Sequence, residues 1–239
     1  MSFRSRRESS SDLARGVRRH RELSRGVPTH LAFLRAVNLG AIGKIAMADL
    51  RAWLMKLGFV NAQTLLQSGN LVFRGGSLTG AALEKHLERE AEKRLGLQTD
   101  FFVRNVKEWE EVIAHNPFRD AAKNDASHLL VAVLKSAPTG SQVKALETAI
   151  KGRERVRAYG RHAYIVYPDG IGTSKLTLPV IERHLGTRGT CRNWNTTRKM
   201  AALASTIVAP LVDLGARKTP ASAASEPPLA QGIQFGDSG

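Results

Sequence analysis

The sequence predicts an α+β fold built from two similar units in tandem. Three observations carry this. Apolar stretches of strand length alternate with longer ones whose apolar residues recur every three or four positions, the helical period. Their order over residues 29–104 is β-α-β-β-α-β, the ferredoxin-like split βαβ arrangement. Nearly the same order returns over 128–209, where the second ferredoxin-like unit ends in an extra C-terminal helix. With 42% hydrophobic residues in 239, the chain can fill such cores.

Thr29-His-Leu-Ala-Phe-Leu-Arg35 reads as the first strand. Met47, Leu50, Trp53, Leu54 and Leu57 mark one face of a helix, and Gly58 stands where a helix stops. Thr64–Gln67 and Leu71–Phe73 read as strands joined by Ser68-Gly69-Asn70, with Gly69 and Asn70 suited to a turn that needs positive φ. Leu83, Leu87, Ala91 and Leu95 mark the next helix, ended by Gly96, and Thr99–Val103 is the following strand. Residues 105–127 read as a linking helix and loop. That helix, Lys107–His115, ends at Asn116-Pro117, because a residue before proline is pushed out of the helical region.

In the second unit Leu129–Leu134 is strand-sized, and Val143, Leu146 and Ile150 mark a helix. Val156–Tyr159 and Ala163–Tyr167 form a hairpin around Gly160-Arg161. Leu176–Leu185 reads as a helix with Pro179 in its first turn, where proline is tolerated. A last helix starts near Thr196 and runs to Val208. Residues 1–28, rich in Arg and Ser, are expected to be a disordered basic arm. Residues 210–239, rich in Ala, Ser, Pro and Gly, are expected to be a disordered tail.

The formal net charge is +15. Residues 1–26 hold eight arginines against three acids, while in the tail Arg217 and Lys218 offset Glu226 and Asp237. Most of the excess therefore belongs to the middle of the chain, which favours an anionic partner. No apolar run reaches the ~18 residues of a membrane helix, and the N-terminal stretch lacks the apolar segment of a secretory signal. The single cysteine, Cys191, excludes an internal disulfide and a Cys-rich zinc site, and the histidines show no paired metal spacing. These features predict a cytoplasmic protein with no membrane partner, no cofactor and no structural metal.

Seven short motifs occur in order: Phe33-Leu-Arg-Ala-Val-Asn-Leu-Gly40, Met47-Ala-Asp-Leu-Arg51, Leu57-Gly-Phe59, Gln67-Ser-Gly-Asn70, Asn116-Pro-Phe118, Asp169-Gly-Ile-Gly-Thr-Ser-Lys-Leu176 and Arg192-Asn-Trp-Asn-Thr196. Spanning about residues 30–204, they resemble the bacterial family known as domain of unknown function 1697. Gly40-Ala41 replaces that family's usual Gly-Gly pair, and Cys191 stands where Thr is common. The resemblance implies two ferredoxin-like units and carries no biochemical activity with it.

Three polar sets are the candidate ligand-binding residues. In Asp169–Lys175, two glycines precede Ser174 and Lys175 at a helix start, where exposed N–H groups, the helix terminus and an ammonium suit an anion. The spacing is not that of a Walker A loop, and a plain turn with Ser174 as helix cap explains it too. In the second set Arg192 can grip an oxyanion with paired hydrogen bonds, beside Asn193 and Asn195; Asn195 or Thr196 can cap the last helix, and Trp194 can stack or fill core. The third set is Arg35 and Asn38 at a strand end, with Ser68 and Asn70 at a hairpin tip. Arg35, Asn38, Lys175, Arg192 and Asn193 are expected to converge in a cleft between the units. The function this predicts is a binding module for a phosphorylated small molecule or nucleic acid. One alternative is an enzyme on a small anionic substrate with Arg and Lys as electrostatic stabilisers, although no nucleophile–base pair stands out. The other is a structural or interaction protein whose polar network only locks the units together.

Overall fold

The computed structural model describes residues 27–35 and 45–208. The expected arm except residues 27 and 28, the expected tail, Asn38 and Gly40-Ala41 lie outside the described residues.

The first unit comprises β1 (Thr29–Leu34), α1 (Met47–Lys56), β2 (Val60–Leu65), β3 (Asn70–Arg74), α2 (Gly80–Leu95) and β4 (Phe101–Asn105). Two helices follow, α3 (Val106–Ala114) and α4 (Arg119–Asn124). The second unit comprises β5 (Leu129–Leu134), α5 (Gly140–Ala149), β6 (Arg155–Tyr159), β7 (His162–Val166), α6 (Leu178–Leu185) and β8 (Gly189–Asn193), and runs into α7 (Trp194–Val208). The result is an α+β protein with two four-stranded antiparallel sheets, ordered β2-β3-β1-β4 and β6-β7-β5-β8.

β1 and β5 are buried along their whole length, because each sheet is covered on both faces. One face of the first sheet (Ala32, Leu34, Leu71, Phe73, Phe101, Val103) packs on α1 and α2. The matching face of the second (Leu130, Ala132, Leu134, Ala163, Ile165) packs on α5 and α6. The two remaining faces share one core with α3 and α7, in which Leu31, Phe33 and Phe102 meet Val131, Val133 and Tyr164 around Trp109 and Trp194. Trp109 lies 4.6 Å from Phe33 between ring centres and donates its indole N–H to Thr197 O at 3.0 Å. Tyr164 donates its hydroxyl to Val112 O at 2.8 Å. Burying each such aromatic contributes about 1.5–3 kcal/mol, and these rings belong to both units.

Among the differences from the sequence expectation, three bear on the polar residues. Asn70 begins β3 in extended backbone and is fully buried; the positive φ of that turn falls on Leu66 and Gly69. Gly189–Asn193 is a strand, held in register by β5 from Leu130↔Asn193 to Leu134↔Gly189. The last helix starts at Trp194, with Asn193 Oδ1 accepting from Thr196 N at 2.9 Å.

Candidate functional site

Arg192 projects from β8 into the interface between the sheets, and all five of its N–H groups are used. Nε donates to Asn70 Oδ1. Nη1 donates to Thr190 Oγ1 and to Cys191 O, each at 2.8 Å. Nη2 donates to Leu34 O and to Ser68 O, each at 2.9 Å. Asn70 completes the set by donating from Nδ2 to Ser68 Oγ at 2.8 Å and to Leu65 O at 2.9 Å. The guanidinium of the second unit thus closes the β2–β3 hairpin of the first against the end of β1.

The reverse contact exists as well. Arg104 of β4 donates from Nε to His162 Nε2 at 2.8 Å, from Nη1 to Val103 O at 2.7 Å, and from Nη2 to Leu134 O at 2.6 Å and Arg161 O at 3.2 Å. Strand registers make the two sites equivalent. Arg104 pairs with Leu31, the third residue of β1, and Arg192 with Val131, the third residue of β5. Asn70 pairs with Phe33 and His162 with Val133, the fifth residue of each. Each unit reaches an arginine into the other's hairpin, the reciprocal pattern of an approximate twofold relation. Arg35 and Lys135, each just after its central strand, repeat the exchange. Arg35 Nη2 binds Glu182 Oε2 on α6 at 2.8 Å, and Lys135 Nζ binds Glu84 Oε2 on α2 at 3.0 Å and Glu88 Oε1 at 2.5 Å.

The equivalence fails in its charges. At the Arg104 end, Arg104, Lys135 and Arg161 face Glu84, Glu88 and Glu108, and Glu84 Oε1 lies 3.5 Å from Arg104 Nη1. At the Arg192 end, Nη1 meets the Thr190 hydroxyl instead of a carboxylate, and Arg192 forms no ion pair among the described residues. The one carboxylate there, Glu182, pairs with Arg35 and also accepts Gly189 N at 2.8 Å. Arg35 Nε is buried and has no acceptor among the described residues. Burial pulls both interface guanidiniums down to about 10, which leaves them charged at neutral pH. Burial also pulls His162 down to about 3, with Arg104 adding to the effect, so its Nε2 stays an acceptor.

The predicted site residues therefore fall into separate groups. Arg35, Ser68, Asn70 and Arg192 come together at one end of the interface. Asn193 caps α7, and Asn195 is exposed. Ser174 donates to Glu154 Oε1 and accepts Leu176 N at 3.0 Å, while Thr177 stands at the N-cap of α6. Lys175 is exposed, and no hydrogen bond or ion pair among the described residues joins it to Arg35 or Arg192. Burial pushes the Cys191 thiol up to about 12, outweighing the lowering effect of the Arg192 charge. Asp169 pairs with Arg153, which holds its carboxyl below the usual range. Sequence reasoning missed Arg104, although a signal was present: Arg104-Asn105 and Arg192-Asn193 are the same dipeptide at the end of β4 and β8. Asn105 caps α3 by accepting Glu108 N at 2.8 Å, as Asn193 caps α7.

An α+β protein of two sheets joined by exchanged arginines is what fold and geometry define. The chain belongs to the family described as Protein of unknown function (DUF1697), whose model matches residues 27–164. Its fold is similar to that of the conserved bacterial protein SP0830 from Streptococcus pneumoniae, with a TM-score of 0.58 and 20% identity over 75% of this chain and 99% of that one. A search of curated proteins found no match. Among the described residues no helix is long and apolar enough to cross a membrane.

Proposed function

We propose that this protein, as two ferredoxin-like units facing each other, is a binding module for a small anionic ligand received at the Arg35–Arg192 end of the interface. The observation that carries this is the unequal charge of two otherwise equivalent sites. Among the described residues, one holds three cations against three carboxylates; the other holds two cations against one, and the Nε–H of Arg35 has no acceptor. A buried charge without a counter-ion is costly, and a phosphate or carboxylate would supply both the missing charge and the missing acceptor. Ligand binding to the native state raises its stability by mass action. Thermal melting at constant ionic strength with phosphate, phosphorylated metabolites, nucleotides and carboxylates tests this. The expected result is a shift for at least one anion that Arg35→Gln abolishes. No shift for any of them, or one retained in Arg35→Gln, would overturn the reading.

A second reading is favoured by the complete use of the five Arg192 donors: the network locks the units together and binds nothing. It predicts that Arg192→Ala lowers the melting temperature while no anion raises that of the native chain.

A further inference from the structure

The edge strand of the second sheet carries a feature that its counterpart in the first sheet lacks. β2 and β6 hold equivalent edge positions. β2 reads Val-Asn-Ala-Gln-Thr-Leu, without a charge, so this fold does not need cations there. The segment leading through β6 reads Lys151-Gly-Arg-Glu-Arg-Val-Arg-Ala-Tyr-Gly-Arg161, with five cations, one acid and one aromatic. Arg155, Arg157 and Tyr159 alternate along the strand, so they share one face at roughly 7 Å intervals; all three are exposed. Arg157 and Arg161 are held by Glu147 and Glu108, at 2.6 Å each. The Arg155 guanidinium makes no hydrogen bond or ion pair among the described residues and lies 5.1 Å from the centre of the Phe118 ring. Tyr159 is 40% exposed and stacks on the exposed ring of His115, with 3.8 Å between centres and 10° between planes.

We infer that this edge, from Lys151 to Tyr159 with Phe118 and His115 beside it, binds single-stranded nucleic acid. Two side-chain classes recognise such a strand: cations that follow its phosphates, and aromatic faces on which unpaired bases stack. Lys151 and Arg155 supply charge that no described carboxylate takes up. The Tyr159–His115 pair supplies a preformed stack that a base can extend. A duplex hides its base faces, so the stack gives it nothing to hold. This surface lies on β6 and the junction between α3 and α4, at the sheet edge opposite the β8 strand that carries Arg192, and the inference does not depend on the reading proposed for the Arg35–Arg192 end.

The test is fluorescence anisotropy of a labelled uridine 15-mer with the full chain over a salt series, beside Tyr159→Ala and Arg155→Gln. Unlabelled duplex and inorganic polyphosphate serve as competitors. Both substitutions sit at exposed edge positions, and unchanged melting curves would show that the fold persists. Stacking contributes ~1–3 kcal/mol per base, so Tyr159→Ala is expected to bind about 5- to 150-fold more weakly with an unchanged salt slope. Arg155→Gln is expected to bind more weakly and to reduce the salt slope by about 0.7, the value for one phosphate contact on a single strand. Equal binding by wild type and Tyr159→Ala, or competition by duplex and polyphosphate as effective as that by single strand, would overturn the inference.

Discussion

At the scale of single residues, the interface rests on two arginines with ten N–H groups directed at the opposite unit or at neighbours in their own. Replacing Arg192 by Met leaves buried Asn70 Oδ1 without its arginine donor, takes a donor from Ser68 O, and leaves Leu34 O with only the 3.4 Å contact from the Thr190 hydroxyl. Loss of a buried partner of this kind costs about 3 kcal/mol, and urea unfolding of the variant checks it. His162 gives a pH prediction with a definite sign. Its pKa falls from 6.5 to about 3 on folding, so below pH about 6.5 the unfolded chain binds a proton that the native chain refuses. The stability it contributes is complete above that pH and is lost progressively as pH falls toward 3. His162→Asn places the acceptor type of Asn70 at the equivalent position without titrating. Urea melts from pH 7 to pH 4 should show wild type losing more stability than this variant. Parallel losses would mean that His162 is not held neutral.

At the scale of elements, much of the fold was legible. β5 is a run of six apolar residues with the bounds the sequence predicts, and Gly96 and Gly186 end their helices in left-handed backbone. Gly96→Ala meets open space and costs only the conformational strain, about 1 kcal/mol. At Gly186 a methyl would also run into the Gln142 side chain, which forms a capping box with Thr139 at the start of α5. Gly186→Ala is therefore expected to lower the melting temperature more than Gly96→Ala. β8 was not legible, because Gly-Thr-Cys-Arg-Asn has neither apolar alternation nor a β-branched run; the exposed edge of β5 makes it a strand. Asn70 resembled a turn residue for the same local reason. Its role as acceptor for an arginine 122 positions away appears only once the sheets face each other. The candidate residues around Arg192 were visible as polar residues at element ends, but their grouping was not. Lys175 belongs to a different loop from Arg35, and Arg104 looked like one cation among many.

At the scale of the whole molecule, the shared core makes the two units one cooperative body. Trp109 and Trp194 both lie in it, with side chains of both sheets. Near-ultraviolet and far-ultraviolet circular dichroism should follow one coincident thermal transition; separate midpoints would mean that the sheets unfold independently. The match to SP0830 supports the fold and leaves the function to the charges. Those charges make the Arg192 end unlike its counterpart, and the difference shows at Nη1, which meets the Thr190 hydroxyl at 2.8 Å in Arg192 and faces the Glu84 carboxylate at 3.5 Å in Arg104. The most direct measurement is the anion-induced shift in melting temperature for Thr190→Asp against wild type at constant ionic strength. The substitution supplies the missing carboxylate at nearly the same side-chain volume. The expected result is a folded variant whose melting temperature no anion raises, beside a wild type that responds. An anion shift of equal size in both proteins would contradict it.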